Sequence, residues 1–431
     1  MTALPNEVTF GGVCPLVGSL RVPGDKSLSH RAVMFAAVAR GRSTIDGLAT
    51  GEDVAATMAA FAQLGVRVKA RPGGVSVTGA GFDGLRESDD VIDCGNSGTT
   101  IRLLSGLLCG RTFVSVLTGD KSLRSRPMAR VAEPLRRMGA HIDGRDDGRL
   151  APLTVRGGSL HGIEFDSPVA SAQVKSAVLF AGLQASGTTV VVEPMRSRDH
   201  TERILGALGV PIVVDGNTVQ IQRGEWDAFD VCVPADPSSA AFFVVGAAIT
   251  PGSDLELIDV ALNPTRIGFV DVLQRMGADI EVAETETRLG EPVGTIRVRH
   301  APLRGTRIAG SEIPAVIDEI PALAIAAAFA EGVTEIRDAQ ELVVKESNRI
   351  GTIHQELTQL GVGCEPLDDG LVIRGGNPQP SALKSHGDHR IAMAGAIAAN
   401  ALDGESSVRG WRAVGSSYPE FHDHLAAVTR R

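Results

Sequence analysis

The stretch RRMGAHID, residues 136–143, joins a helix-like segment to a strand-like one through a single glycine. A Leu or Met, then Gly, then Val or Ala recurs along the chain, with its glycine at Gly65, Gly139, Gly209, Gly277 and Gly361. The segment before each glycine has helical apolar spacing, and the segment after it alternates as strands do. Glycine commonly ends a helix because it adopts the left-handed conformation. The phrase therefore predicts a helix, a glycine stop and a strand.

The spacing of these glycines predicts the domain organisation. The intervals are 74, 70, 68 and 84 residues, and one more such step reaches the end of the 431-residue sequence. This regularity predicts six similar units, three in each of two α/β domains. The alternative is that the phrase is only a common helix-to-strand joint. We expect a hinge near Pro234–Asp236, a first domain over 21–234 and a second over 1–20 plus 235–431, because the first strand can cross back.

Composition excludes several classes of function. The net charge of −9 and the pI of about 5.6 argue against nucleic acid or an anionic membrane as a partner. Five scattered cysteines without CxxC spacing favour neither a disulfide framework nor a zinc site. The sequence begins without a signal-peptide pattern, and its longest apolar runs, 320–330 and 391–400, are too short to span a bilayer. We expect a reduced, soluble, cytoplasmic protein.

Polar motifs stand where several helices are predicted to begin. They are GDKSLSHR (24–31), CGNSGTTIRLL (94–104), SAQVKSAVLFAGL (171–183), KESNRIGTIHQELTQLG (345–361) and HGDHRIAMAGAIAAN (386–400). Helix starts attract anions and ordinarily carry acidic residues, so cations there indicate a bound anion. Lys345 and Arg349 are expected one turn apart on one helix face. Taken singly, each motif is also explained by helix capping or by solvated ion pairs.

The residue types in these motifs indicate the chemistry of the ligands. Serine hydroxyls with a lysine suit a phosphate monoester, and arginines suit carboxylate or phosphate. The motif at 24–31 fails as a P-loop because Asp25 separates Gly24 from Lys26. Neither a metal cluster nor a dinucleotide-binding glycine motif is present in the sequence. Two small anionic substrates, exchanged or joined, are the simplest interpretation.

The motifs GDKSLSHR, GNSGTTIR, LTGDKSLRSRP, SAQVKSA, KESNR and DHR, in this order, resemble those of the 5-enolpyruvylshikimate-3-phosphate synthases, a family of enolpyruvyl transferases. The resemblance covers essentially the whole chain. It implies an inside-out α/β barrel fold in two domains, each of three βαβαββ repeats, with the active site in the cleft between them. It also implies a monomer that needs no metal or organic cofactor.

The resemblance further implies a reaction and its residues. The enolpyruvyl group of phosphoenolpyruvate is transferred to the 5-hydroxyl of shikimate-3-phosphate with release of phosphate, a step of chorismate biosynthesis. The implied catalytic residues are Lys26, Asp318, Lys345 and Glu346. Those implied to bind shikimate-3-phosphate are Lys26, Ser27, Arg31, Ser171, Ala172, Gln173, Arg198, Asp318 and Lys345. Those implied to bind phosphoenolpyruvate are Lys26, Gly98, Arg126, Gln173, Arg349 and Arg390.

Some positions depart from the family pattern or lack a role. Ser416 stands where many members have a lysine that contacts phosphoenolpyruvate, and Ala172 replaces a second serine. Gly98 stands where glyphosate-tolerant members carry alanine, so glyphosate is predicted to compete with phosphoenolpyruvate here. Ser29 is expected to be only a helix cap, and His30 has no assigned role.

Two other functions compete with this prediction. The sister enzyme, UDP-N-acetylglucosamine enolpyruvyl transferase, would need a cysteine on a mobile loop near residue 115, whereas Cys109 is expected to end a helix. A non-catalytic anion-binding protein with the same fold would have lost the acid–base residues. Asp318, Lys345 and Glu346 are all present, which favours an enzyme.

Overall fold

The computed structural model describes residues 4–430, which form 14 α-helices. The helices are α1 (Lys26–Val38), α2 (Glu52–Gln63), α3 (Gly98–Leu108), α4 (Ala129–Arg137), α5 (Arg145–Gly148), α6 (Ala172–Gly182), α7 (His200–Ala207), α8 (Pro237–Ile249), α9 (Gly268–Arg275), α10 (Ile313–Val316), α11 (Ile320–Phe329), α12 (Arg349–Gln359), α13 (His389–Asn400) and α14 (Phe421–Val428).

The same residues form 23 β-strands. The strands are β1 (Glu7–Gly11), β2 (Val17–Leu20), β3 (Arg40–Asp46), β4 (Arg67–Arg71), β5 (Gly74–Ala80), β6 (Ile92–Asp93), β7 (Val114–Thr118), β8 (His141–Gly144), β9 (Leu150–Arg156), β10 (Glu164–Asp166), β11 (Thr189–Val192), β12 (Ile212–Asp215), β13 (Thr218–Ile221), β14 (Asp230–Cys232), β15 (Asp254–Ala261), β16 (Asp279–Arg288), β17 (Glu291–Arg299), β18 (Arg307–Ile308), β19 (Val333–Ile336), β20 (Gly363–Leu367), β21 (Gly370–Arg374), β22 (Ala382–Lys384) and β23 (Glu405–Arg409).

The chain divides into two compact units. The first unit comprises Lys26–Val233 and Thr287–Glu291. The second comprises the described residues up to Asp25, Pro234–Glu286 and the described residues from Pro292 onwards. The chain therefore passes between the units at 25/26 and 233/234, and twice more around Thr287–Glu291. The boundaries expected from the sequence are 20/21 and 234/235.

Three of the sheets belong wholly to the first unit, and their strand orders are β14-β3-β5-β4, β6-β7-β9-β8 and β10-β11-β13-β12. The other three have the orders β2-β15-β17-β16, β18-β19-β21-β20 and β22-β23-β1. In each sheet the first two strands of the order run parallel. Five sheets then continue into a sequence-local pair, as the predicted βαβαββ unit requires. In the sixth sheet, this pair is replaced by the single strand β1, which comes early in the chain and pairs antiparallel with β23.

The five repeated glycines close their helices as predicted. Each has a positive φ, between +77° at Gly209 and +107° at Gly139. At Gly139 the amide donates to the carbonyl of Arg136, and the next amide, of Ala140, donates to that of Leu135. Equivalent bonds satisfy the last carbonyls at the other four sites, and a strand follows within three residues of each glycine. The helix–glycine–strand prediction is confirmed.

Two strands are exchanged between repeats that lie far apart in sequence. β2 precedes α1 in the chain but pairs with β15 of the second unit, as the expectation of a crossing first strand requires. Reciprocally, β14 precedes α8 but pairs with β3 of the first unit. The first pairing agrees with the expected crossing of the first strand, whereas the second has no counterpart among the expectations from sequence.

The first helix of each repeat is largely buried and apolar around most of its circumference. These helices are α1, α3 and α6 in the first unit and α8, α11 and α13 in the second. All 13 residues of α8 are buried. Helices that are apolar all round belong in a core, whereas the second helices, such as α4, have one polar face. Four of the five polar motifs of the sequence stand at the starts of buried first helices, α1, α3, α6 and α13, whereas the motif at 345–361 stands at the start of α12.

Candidate active site

The start of α1 carries the first motif. Lys26 is the first residue of the helix, and its Nζ lies 3.0 Å from Oδ2 of Asp53, in the first turn of α2. Both side chains keep some exposure, 20% and 11%. Ser27 follows Lys26 and is half-buried. The start of α1 therefore presents the ammonium group of Lys26, which is paired with the carboxylate of Asp53, and the hydroxyl group of Ser27.

Arg31 is directed into the first unit's interior and is 3% exposed. Its Nε donates to Oγ1 of Thr201 (2.9 Å) and its Nη2 to Oγ of Ser176 (2.8 Å), while Nη1 donates to the carbonyl of Ser27 (3.1 Å). Arg31 thereby links α1 to α6 and α7 and supports the backbone of Ser27.

The remaining polar residues of the first motif hold helices together. Nδ1 of His30 lies 2.7 Å from Oγ1 of Thr57, which in turn lies 2.6 Å from Oγ1 of Thr100. Ser29 lies inside α1, and its hydroxyl accepts the amide of Ala49 at 2.9 Å. The expectation that Ser29 only caps the helix is wrong, since α1 begins three residues earlier.

Gly98 and Arg126 come together at the start of α3. A Cβ added to Gly98 would lie 3.3 Å from Nη1 of Arg126, so the guanidinium packs directly against the glycine. Nη2 of Arg126 donates to Oδ1 of Asn96 (2.6 Å), and Nδ2 of Asn96 donates to Oδ2 of Asp120 (2.7 Å). Ser97 caps the helix by accepting the amide of Thr100. The site thus combines a helix N-terminus with a positioned arginine, which is a strong anion-binding combination.

The start of α6 lies against α3. Ser171 caps α6, and Ala172 and Gln173 are its first residues. Oε1 of Gln173 accepts a short hydrogen bond from Nη1 of Arg102, and Nε2 of Gln173 donates to Oγ1 of Thr99 (3.0 Å). Arg102 is the group that orients the Gln173 amide.

Lys175 occupies a different environment from the residues before it. Its Nζ lies 2.6 Å from Glu193 and 2.7 Å from Glu202, with all three side chains almost fully buried. Glu193 also accepts from the amide and hydroxyl of Ser197. Arg198, the next residue, is half-buried. Lys175 therefore anchors the segment that carries Arg198 and does not face a substrate.

In the second unit, Arg349 is the first residue of α12 and is 1% exposed. Its Nε donates to Oδ2 of Asp388 (2.8 Å), and its Nη2 donates to Oε2 of Glu346 (2.7 Å). Its Nη1 lies 3.4 Å from Oδ1 of Asp318. Arg349 thus fixes three carboxylates from three segments of the chain.

Asp318 is the point on which the other cations converge. Nζ of Lys345 lies 3.1 Å from Oδ1 of Asp318, and Nη1 of Arg390 donates to the backbone carbonyl of Asp318 at 2.8 Å. The Asp318 side chain is 15% exposed and that of Lys345 is 26% exposed. The carboxyl group is therefore paired with cations, oriented and still accessible.

The prediction that Lys345 and Arg349 lie on one helix is wrong. The helix begins at Arg349 because Asn348 caps it by accepting the amide of Gly351 at 3.2 Å. Lys345 follows a 3-10 turn over Gln340–Val344 and lies outside the helix. The two cations meet at Asp318, and that contact brings them together.

The charges around Arg349 stabilise its ionised partners. Burial acts to raise the pKa of Asp388, but the Arg349 guanidinium outweighs it and holds that pKa below its usual range. Burial acts to lower the pKa of Arg349, but Asp388 and Glu346 outweigh it and raise that pKa. Asp388 also caps α13 by accepting the amide of Arg390 (2.9 Å). The start of α13 is fixed by this pair.

Comparison with known proteins identifies the family. Residues 11–425 match the family model for EPSP synthase (3-phosphoshikimate 1-carboxyvinyltransferase). The chain belongs to the EPSP synthase family. A 3-phosphoshikimate 1-carboxyvinyltransferase of Shouchella clausii is 51% identical over 96% of each chain, and one of Bacillus licheniformis is 49% identical over 98% of this chain and 99% of its own.

Solved structures of the family agree with the fold. The EPSP synthase of Acinetobacter baumannii superposes with a TM-score of 0.88 at 42% identity, over 98% of each chain. The enolpyruvyl transferase NikO of Streptomyces tendae has a TM-score of 0.79 at 21% identity and shares the fold, covering 98% of this chain and 97% of its own. The predicted two-domain enolpyruvyl-transferase-like fold is confirmed.

The cysteine required by the sister enzyme is missing from the position where it would act. Cys109 follows the last residue of α3, is fully buried and donates to the carbonyl of Ser105. Burial raises the pKa of its thiol. Cys109 is therefore unsuited to act as a reactive thiolate.

Sequence reasoning missed Asp53 and Arg102, which orient Lys26 and Gln173. Asp53 stands in an acidic first turn, where acids are common for helix-dipole reasons alone. Arg102 lies four residues, about one helical turn, after Gly98 at the start of α3, and this spacing is the available signal. Ser416, at the departure from the family pattern, lies 3.3 Å from Nδ1 of His389 and donates to the carbonyl of Ala413.

None of the helices within residues 4–430 is long and apolar enough to cross a membrane.

Proposed function

We propose that this protein is a 3-phosphoshikimate 1-carboxyvinyltransferase. It transfers the enolpyruvyl group of phosphoenolpyruvate to the 5-hydroxyl of shikimate-3-phosphate and releases inorganic phosphate. The proposal rests on family membership together with one geometric observation, the convergence of Lys345, Arg349 and Arg390 on Asp318. An oriented carboxylate among cations suits a reaction in which a hydroxyl is deprotonated beside an anionic substrate.

In this proposal, shikimate-3-phosphate is bound chiefly by the first unit. The hydroxyl and ammonium groups at the start of α1 and the Ser171–Gln173 segment hold its ring and phosphate. Arg198 adds charge at the phosphate. Asp318 and Lys345 of the second unit meet the 5-hydroxyl. Arg31 belongs to the same proposed set, and its hydrogen bond to the carbonyl of Ser27 also supports the backbone there.

The proposed ligands of phosphoenolpyruvate are mostly cations. They are Lys26 and Arg126, with the backbone at Gly98 and the side chain of Gln173, together with Arg349 and Arg390. Arginine donors match both the carboxylate and the phosphate of this substrate.

The chemistry proceeds in two stages. Asp318, with Lys345 beside it, takes the proton of the 5-hydroxyl as that oxygen attacks C2 of phosphoenolpyruvate. Glu346 or Lys26 protonates C3, which gives a tetrahedral intermediate without a covalent link to the enzyme. The bond between C2 and the phosphate oxygen then breaks, and loss of a proton from C3 restores the enol ether. The arginines stabilise the negative charge on the leaving phosphate.

A phosphate-release assay tests the proposal directly. The purified protein is incubated with phosphoenolpyruvate and either shikimate-3-phosphate or UDP-N-acetylglucosamine as acceptor. We expect release only with shikimate-3-phosphate. Release with the nucleotide sugar would favour the sister enzyme, and no release with either acceptor would favour a binding protein.

We also expect glyphosate to compete with phosphoenolpyruvate. Replacing Gly98 with alanine would place a methyl group 3.3 Å from Nη1 of Arg126. This crowding should affect the longer inhibitor more than the substrate. The inhibition constant of glyphosate should therefore rise several-fold more than the KM for phosphoenolpyruvate in Gly98→Ala. Equal changes in both constants would contradict this expectation.

A further inference from the structure

A second cluster of buried charged side chains in the second unit is connected to Asp318 and Arg390. Arg266, in the turn after β15, is 1% exposed. Its Nη1 lies 2.7 Å from Oδ2 of Asp25, and its Nη2 lies 3.1 Å from Oδ1 of Asp236. Burial acts to lower the pKa of Arg266, but Asp25 and Asp236 outweigh it and raise that pKa. Arg266 is therefore a permanent positive charge between two buried carboxylates.

The two carboxylates belong to the segments on which the chain passes between its units. Gly24 and Ala235 form an antiparallel bridge. The amide of Asp25 donates to the carbonyl of Pro234 (2.7 Å), and that of Asp236 donates to the carbonyl of Pro23 (2.9 Å). Arg266 holds the side chains of both segments at one place. Asp25 directly precedes Lys26 in the sequence.

The cluster continues to the catalytic carboxylate through a hydroxyl. Nη2 of Arg266 donates to Oγ of Ser238 at 2.9 Å, and that hydroxyl donates a short hydrogen bond to Oε1 of Glu319. Glu319 directly follows Asp318 and is 1% exposed. Its Oε1 lies 3.6 Å from Nη1 of Arg390, which donates to the carbonyl of Asp318. The contacts run without a gap from Asp25 to Arg390.

We propose that Arg266, Ser238 and Glu319 are positioning residues for enolpyruvyl transfer. This set, the Arg266 relay, fixes the Asp318–Glu319 turn and, through it, the guanidinium of Arg390. A buried network of ion pairs and hydrogen bonds restricts its members to fewer arrangements than a solvated one, so it holds the attached groups in place. The inference rests on the proposed function, because it assigns Asp318 and Arg390 their roles in that reaction.

The relay predicts an asymmetric effect on the two substrates. Asp318 and Arg390 serve proton transfer and phosphoenolpyruvate, while most of the groups proposed to hold shikimate-3-phosphate lie in the first unit. Misplacement of reacting groups by about 1 Å can reduce rates about 100-fold. Loss of the relay should therefore reduce kcat/KM for phosphoenolpyruvate and leave the Kd of shikimate-3-phosphate nearly unchanged.

Ser238→Ala is the primary test, because it removes both relay hydrogen bonds and only one atom. Thr250→Val is the matched control. It removes a buried hydroxyl at the other end of α8, where Thr250 donates within its own helix to the carbonyl of Gly246. We expect Ser238→Ala to lower kcat/KM for phosphoenolpyruvate at least about 10-fold. The Kd of shikimate-3-phosphate should change less than about 2-fold, and Thr250→Val should resemble wild type.

Arg266→Lys is the second variant, and it tests the positioning role if Ser238→Ala does not fold. Lysine keeps the positive charge but lacks the planar fork that reaches two carboxylates and a hydroxyl together. We expect the same split between the two substrates. Wild-type kinetics in either folded variant, or an equal loss of affinity for both substrates, would overturn the positioning role. Failure of both variants to fold would also overturn it, in favour of a purely structural role.

The wild-type chain in the same assay separates this inference from the proposed function. If wild type releases no phosphate with shikimate-3-phosphate, the proposed function fails, whatever the variants do. If wild type is active and Ser238→Ala matches it, the proposed function stands and the relay is wrong.

Discussion

Lys175 and Lys345 both stand in polar motifs that, in the sequence, indicate an anion site. Lys175 lies between Glu193 and Glu202 with 1% of its side chain exposed. Lys345 lies against Asp318 with 26% exposed. Both lysines are paired with carboxylates, but only Lys345 and its partner keep a surface that a substrate can reach. Residual exposure therefore distinguishes a charge that can take part in chemistry from one that maintains the fold.

Asp318→Asn tests the accessible pair, Lys345 and Asp318, and is expected to have the largest effect. The amide keeps the shape of the side chain but cannot accept the proton of the 5-hydroxyl. General base catalysis typically contributes 10²–10⁴-fold, so kcat should fall by about that factor while the Kd of shikimate-3-phosphate changes little. Steady-state kinetics and a binding titration measure the two effects.

Asp254→Asn is the control for that variant. Asp254 lies in the same unit and accepts from Arg297 at 2.8 Å, but both side chains are more than 40% exposed. Its loss should leave turnover unchanged. Near-normal turnover of Asp318→Asn would remove Asp318 from its proposed role.

Lys175→Met tests whether the buried lysine maintains the fold. This change leaves Glu193 and Glu202 buried without their counter-charge. Removing one partner of a buried ion pair typically costs about 3–5 kcal/mol, so the free energy of unfolding should fall by about that amount. Urea denaturation followed by circular dichroism measures it. A variant as stable as wild type would mean that the two glutamates do not depend on Lys175.

Lys345→Met, the same chemical change at the partly exposed lysine, should have the opposite profile. Because solvent still reaches this ion pair and screens it, the free energy of unfolding should change by less than about 1 kcal/mol. The Asp318 carboxylate loses its ammonium partner, and kcat should fall about 10–100-fold, at the lower end of acid–base effects. Loss of stability without loss of turnover would reverse the assignment of the two lysines.

The periodic part of the fold was predictable because it is local. A helix, a glycine at positive φ and a strand are encoded within about 20 residues, and the five glycines occupy that conformation. The pairing of β14 with β3 was not predictable, because it joins residues about 186 apart and its strand has only three residues. Short strands carry too little periodicity to identify a distant partner.

The candidate site was predictable in its residue types but not in its contacts. Cations at helix starts identified Lys26, Arg349 and Arg390. The sequence assigned a role to Lys345 and none to Lys175, whose burial depends on Glu193 and Glu202, which lie elsewhere in the chain. It also misplaced Lys345 within a helix, although Asn348 is a strong capping residue and marks the true start.

The smallest expected effect concerns the unequal charges around Lys175, where two carboxylates face one ammonium group. Oε2 of Glu202 has no hydrogen-bond partner within residues 4–430. Burial raises the pKa of Glu202 above its usual range, against the opposing charge of Lys175. The folded chain therefore binds this proton more tightly than the unfolded chain. Wild type loses that contribution to stability as pH rises above the unfolded value of about 4.3.

Glu202→Gln removes this titration and leaves Lys175 paired with Glu193. At pH 7.5 the variant should be more stable than wild type by about 1 kcal/mol, because a neutral amide costs less to bury than a second carboxylate charge beside one ammonium group. At pH 4.5 the difference should be smaller, because the raised pKa of Glu202 leaves wild type more protonated at this position than at pH 7.5. Urea denaturation at the two pH values measures it. A variant less stable than wild type at pH 7.5 would mean that Lys175 needs both carboxylates, and that the buried lysine is held by its full charge set.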